Sequence, residues 1–344
     1  MWPFKRGARP AAPRLTVDPA GGDPLARTLI AALTARDWRT VRDLFGTVTE
    51  PDDRAMLMSV AADVDDVQDW IGEWVAAEPD STLPLLVRGC HGVFWAWGAR
   101  GDAKAQYTSE EKFKEFFRRL KMAENCLDEV TDRDPDDTTA WAFLVASARG
   151  RQLPPEQAHA RFANVVSRHP HHIVAHEHML QYLCRKWYGS HAEMFAFARE
   201  ATAKAPKGSL LPELLVVAHI EQWLDLPDGE DAQYLRRPDV RADILTATEQ
   251  SIFHPEHERR LGWAPRVNTF AMGLHMVGEY EAAARVFDLI GDQVTRWPWQ
   301  YRAGGPVSAF TAVRADAYAR RGPLDTFRGQ GLGGVGGDSP VPAR

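Results

Sequence analysis

The sequence has few cysteines, no long apolar run and no surplus of basic charge, and each lack excludes something. Its three cysteines, Cys90, Cys126 and Cys184, are odd in number and far apart. They can build neither a disulfide framework nor a zinc spacing, so reduced thiols in a cytoplasmic protein are expected. No apolar stretch reaches the ~20 residues of a membrane-spanning helix. The longest, LLPELLVVAHI from Leu210, is interrupted by Glu213. The net charge of −6 is spread over interspersed acids and bases, which argues against the concentrated basic face that nucleic acid requires. The opening MWPFKRGARPAAPR has charge but no apolar core, unlike a secretory leader. There is no Gly-x-Ser-x-Gly elbow and no phosphate loop. Gly329-x-Gly331-x-x-Gly334 has the form of a dinucleotide fingerprint, but no strand precedes it and only ten residues follow. No cofactor is therefore expected.

What is present is helix. β-branched alternation is scarce, while EKFKEFFRRLKMAENCLDEV and LLPELLVVAHIEQWL repeat apolar residues every three or four positions. Residues 1–22 and 323–344 are rich in Pro, Gly, Ala and Arg and are expected to be disordered. Residues 23–322 are expected to form one all-α domain, with an irregular insertion of short helices at about 225–262. Pro79, Pro135, Pro170 and Pro206 each follow one helical run and precede another, the last three at intervals of 35 and 36 residues. Counting back eight and twelve residues gives Leu127 and Ala123, Phe162 and Ala158, and Ala198 and Met194. A small residue lets two helices approach, a large one fills the gap between them, and proline ends the helix.

This pattern resembles the tetratricopeptide repeat, a helix-turn-helix unit of 34 residues. FAMGLHMVGEYEAAARVFDLI carries it furthest, with Gly278, Tyr280, Ala283 and Phe287 on the turn, small and aromatic positions. ALTARDWRTVRDLF repeats the shape, with Arg36 where the family prefers glycine. The resemblance implies a right-handed α-solenoid of helix pairs whose first helices line a concave surface. A narrower stretch, KWYGSHAEMFAFARE at 186–200, resembles a segment of uncharacterised bacterial proteins with a helical domain of unknown function, which implies no reaction. It also has the parts of a helix joint: Gly189 to end one helix, Ser190 to cap the next, and Glu193 to complete a capping box.

HPHHIVAHEHM, residues 169–179, holds five histidines. His172 and His176 have the i, i+4 spacing of a helical metal pair, but a zinc site needs a third protein ligand and His178 falls on another side. In the repeat register His171 and His172 lie in a turn, and His176 opens the core face of the next helix. No metal is expected. Of the twelve tryptophans, most are read as wedges between helices. Acidic pairs such as Asp65-Asp66 and Asp136-Asp137 are read as helix-start charges.

In the tetratricopeptide register the positions expected to face the concave groove and bind a partner include Arg149, Glu177, Gln181, Arg185, Glu213, Asn268 and His275. Their mixed charges imply a polar protein or peptide partner and a non-enzymatic scaffold. The alternatives are an enzyme, or a metal- or pH-sensing module built on His169–His178. A convergent pocket of buried His and Glu would favour the enzyme; an open, solvated groove would favour binding.

Overall fold

The computed structural model describes residues 15–101, 108–227 and 229–322. The glycine fingerprint and the C-terminal tail lie outside these residues, as do residues 1–14 of the N-terminal segment. Among the described residues the chain is all-helical, and its only strand-like pairing is a single bridge between Val17 and Val294. No helix there is long and apolar enough to cross a membrane.

The first half comprises α1 (Pro24–Thr34), α2 (Trp38–Gly46), α3 (Pro51–Ala62), α4 (Ile71–Ala77), α5 (Leu83–Arg100), α6 (Glu110–Arg133), α7 (Thr138–Arg151) and α8 (Pro155–Val166). The second comprises α9 (Ile173–Tyr182), α10 (His191–Lys204), α11 (Glu213–Leu224), α12 (Asp231–Leu235), α13 (Pro238–Gln250), α14 (Trp263–Met276), α15 (Tyr280–Ile290) and α16 (Pro306–Arg320). Local chemistry sets the boundaries. Asp23, Asp37, Ser109, Asp137 and Ser190 each accept a backbone N–H at the start of a helix. The Ser190 hydroxyl also donates to the Glu193 carboxylate, so only half of the expected capping box forms: that carboxylate is not on the Ser190 backbone N–H. Pro79, Pro135, Pro170 and Pro206 fall just beyond the ends of α4, α6, α8 and α10. Ala123 and Leu127 on α6, Ala158 on α8, and Met194 and Ala198 on α10 are buried, while Phe162 is half-buried between His176 and Phe197. Arg36 holds a left-handed backbone, φ 59°, in the turn between α1 and α2, which is the conformation that favours glycine.

Two expectations need correction. Residues 15–22, grouped with the tail by composition, are ordered against α14 and the 290s loop. The Asp18 carboxylate accepts from the N–H groups of Ala20 and Gly22, the Asp18 N–H reaches the Val294 carbonyl, and Ala20 is buried. Composition misled because one buried alanine and one turn-forming aspartate suffice to anchor a short segment. Within the supposed insertion, α12 is short but α13 is a full helix of 13 residues packed on α11 and α14.

The core runs in two large parts, one through residues 20–146 and one through residues 145–317, meeting at α7, with a small third cluster of Ala142, Val165 and Ala175 beside it. Helix α7 is buried on nearly every side. Helix α3 packs on α1, α5, α7 and α9. Its first turn ties distant segments together: Asp52 accepts from the Ile173 N–H at 2.7 Å and meets His169 Nε2 at 3.1 Å, and Arg260 reaches Asp53 at 3.2 Å.

Candidate functional site

Seven of the helices leave a partly open cavity of about 980 Å3 between them. Its wall comes from α1, α3, α5, α7, α9, α11 and α14, together with Pro19, the turn after α3 and the segment around Trp297 to Tyr301. None of its lining residues belongs to α2, α4, α6, α8, α10, α12, α13, α15 or α16.

At one side of the wall lies a buried charge cluster. Arg266, in the first turn of α14, is 3% exposed, so its charge must be met by the protein. Its Nε donates to Glu177 Oε1 at 2.8 Å, its Nη1 donates to the Gly262 carbonyl at 2.7 Å, and its Nη2 meets the Met56 sulfur at 3.1 Å. Glu213 Oε2 stands 3.7 Å from Nε. Burial opposes the guanidinium charge, but Glu177, Glu213 and Asp52 outweigh it and raise the group further. One cation between two carboxylates leaves a surplus of negative charge. Burial and the neighbouring Glu177 push the Glu213 carboxyl up to about 8, which favours its protonated form. Burial also raises Glu177, against the pull of Arg266.

A second polar group lies deeper, on α7, α9 and α11. Gln181 donates to Glu221 Oε1 at 2.8 Å and Lys186 donates to Oε2 at 2.6 Å, so the Glu221 charge is satisfied. Arg149 has no such partner: among the described residues it makes no hydrogen bond and no ion pair. It lies over the rings of Trp97 and Trp187, at 4.7 and 5.4 Å. Burial lowers its guanidinium to about 10, still a cation at neutral pH. Beside it, burial and the Arg149 charge depress His178 to about 3, so that ring is neutral. Asp63, Asp65 and Asp66 form an acidic edge to the cavity, with no ion pair among the described residues.

Of the seven positions named from the repeat register, the fold brings four to this wall: Arg149, Glu177, Gln181 and Glu213. The other three lie elsewhere. Arg185 is exposed and pairs with Asp225 at 3.2 Å. Asn268 is fully buried, donates to the carbonyls of Ala264 and Gln293, and accepts from the Trp299 indole. His275 meets Asp316 at 2.9 Å where α14 faces α16. Arg149 was expected on exposed surface and is instead embedded, because the two tryptophans close over it. His178 was set aside as facing away from the His172–His176 pair, and that other side is the cavity. Arg266 was missed, although an arginine inside the apolar stretch WAPRVNTFAMGL is itself a signal of a buried ion pair.

The histidine pair has structural partners. His172 caps α9 by accepting the Ala175 N–H, and His176 packs edge-on to Phe162 at 4.9 Å. Among the described residues, the group of three whose ligand atoms lie within 4.8 Å of one another is Glu50, Asp52 and His169. Arg260 stands 4.0 Å from Glu50, and so already brings a cation to that cluster.

No family model, no curated protein and no solved structure matches the chain.

Proposed function

We propose that the chain is a non-enzymatic binding module, a superhelix of tetratricopeptide-like helix pairs that takes a short polar peptide segment into its central cavity. The observation that carries this is the make-up of the wall: every other helix from α1 to α11 lines the cavity, joined by α14, while the helices between them do not. Proline positions between pairs support the same assignment. The cavity volume sits at the upper end of the range for small-molecule sites, enough for a few residues of peptide. Both charge signs on the wall suit a partner with hydrogen-bonding groups rather than an apolar one. Panning a random peptide library against the chain tests this. Enrichment of a common sequence with a one-to-one calorimetric isotherm is the expected result; failure to enrich any sequence removes the peptide assignment.

Acid–base catalysis is the alternative that one observation favours. A protonated Glu213 beside Glu177 in a cavity pairs a proton donor with a proton acceptor. It requires turnover of a glycoside, ester or amide substrate that Glu213→Gln abolishes without lowering the melting temperature.

A further inference from the structure

Buried hydrogen-bond donors without acceptors are rare, and each calls for a cause. Among the described residues three of them, Trp97 Nε1, Trp187 Nε1 and Arg149 Nε, gather in one place, beside the partnerless His178 Nε2, which donates in one neutral tautomer and accepts in the other. The two indoles touch, with ring centres 5.4 Å apart. Arg149 lies over both, and its charge acts directly on His178. Arg149 and His178 line the cavity. Arg100 adds a second guanidinium 5.6 Å from each indole. The carboxylate that acts on Arg149, Glu221, is already held by Lys186 and Gln181. A cation among unmet donors destabilises the empty protein, and the two indole faces and the Glu221 charge offset it without giving Arg149 a hydrogen-bond acceptor.

We propose that this locus binds the carboxylate of the ligand, with Arg149 supplying the opposite charge and His178 donating its Nε2 proton. The proposal rests on the cavity being the binding site and adds what it recognises: a free peptide C-terminus. A flat guanidinium matches a carboxylate in a two-pronged pair. His178 stays neutral because burial holds its proton affinity low, so the locus carries little positive charge beyond its arginines. Asp63, Asp65, Asp66 and Glu177 elsewhere on the wall disfavour a dianion such as phosphate. The same acids suit a peptide with a free amino group or a basic side chain at its other end.

Two arms test this separately from the peptide assignment. In the first, peptides recovered by panning are compared as C-terminal acids and amides. The acid should bind at least about tenfold more tightly, the difference expected for one charge-assisted pair. Arg149→Gln should erase that difference while melting at or above the wild-type temperature. Equal binding of acid and amide overturns the carboxylate assignment but leaves the cavity assignment standing. In the second arm, the probes are sodium acetate and inorganic phosphate, read by the indole N–H resonances of Trp97 and Trp187. Acetate should move both resonances in the wild type and neither in Arg149→Gln. No movement with acetate, or stronger movement with phosphate, overturns the proposal even if panning recovers nothing.

Discussion

Arg266→Met should destabilise the protein by about 3–5 kcal/mol, the cost of leaving buried charge without its partner. Glu177 loses its hydrogen-bonded counter-ion and Glu213 loses the nearby positive charge. The pH dependence identifies the cause. A carboxyl whose folded pKa is raised binds its proton more tightly folded than unfolded. Its contribution is therefore present at low pH and lost as pH rises, for Glu213 between its ordinary 4.5 and about 8. Removing Arg266 raises both carboxyls further, so the variant should lie closest to wild type near pH 5 and furthest above pH 8. The triple change Arg266→Met, Glu177→Gln, Glu213→Gln should recover most of the loss, because neutral groups of similar shape need no counter-ion. Urea melts at several pH values measure this. A variant that melts like wild type at pH 8 would show that the cluster carries no energetic weight.

Acidification should unfold the chain well above the pH at which carboxylates protonate. Burial is the main cause that lowers His172 to about 4, His178 to about 3 and His219 to about 4, from an ordinary 6.5. Each ring must stay neutral to remain folded, while the unfolded chain takes the proton. Stability is then fully present above pH 6.5 and falls as pH drops toward 4. Each group contributes a slope of up to about 1.4 kcal/mol per pH unit. Glu213, and His169 paired with Asp52, act in the opposite sense, since their folded pKa values are raised. Among the groups shifted far enough to dominate between pH 4 and 7, these three rings stand against Glu213, which leaves a net loss on acidification. His172→Asn isolates one term, because asparagine can still accept the Ala175 N–H without titrating. Denaturant melts at pH 7, 5.5 and 4.5 should show a shallower fall for this variant. Stability that holds constant or rises toward pH 4.5 would mean that these rings are solvated.

How much of this could be read from the chain differs by scale. Helix content and helix ends were legible because they are local: an aspartate or serine before an apolar run, and a proline two to four residues after it. The buried small residues Ala123, Ala158 and Ala198 were legible for the same reason, since counting back from each proline finds them. Arg36 shows the limit of local rules, because its turn keeps the left-handed backbone without the glycine that favours it. The site was legible only in part. Arg149, Glu177, Gln181 and Glu213 follow from the helical register, which says which face a residue occupies. Register does not say what closes over that face. The stacking of Trp97 and Trp187 on Arg149 joins residues 90 positions apart, and Asp52 reaches Ile173 across 121. Such contacts decide whether a polar position is solvated or buried, and so whether an arginine is a surface charge or an unpaired cation in a cavity. His178 was misjudged in this way, by comparison with its neighbours in sequence rather than with what lies opposite.

The most direct test of a cavity-bound ligand is to fill the cavity and measure affinity. Ser59, on α3, lines it, and its hydroxyl bonds only to its own helix at Ala55. Ser59→Trp places a large ring in the open space, and Arg185→Ala alters an exposed charge outside the wall. Titrating the panned peptide into both variants by calorimetry, beside their thermal melts, separates the two surfaces. Ser59→Trp should melt close to wild type and lose binding, while Arg185→Ala should bind as wild type does. Full affinity in a folded Ser59→Trp, or its loss in Arg185→Ala, would place the ligand on the outer surface and contradict the account.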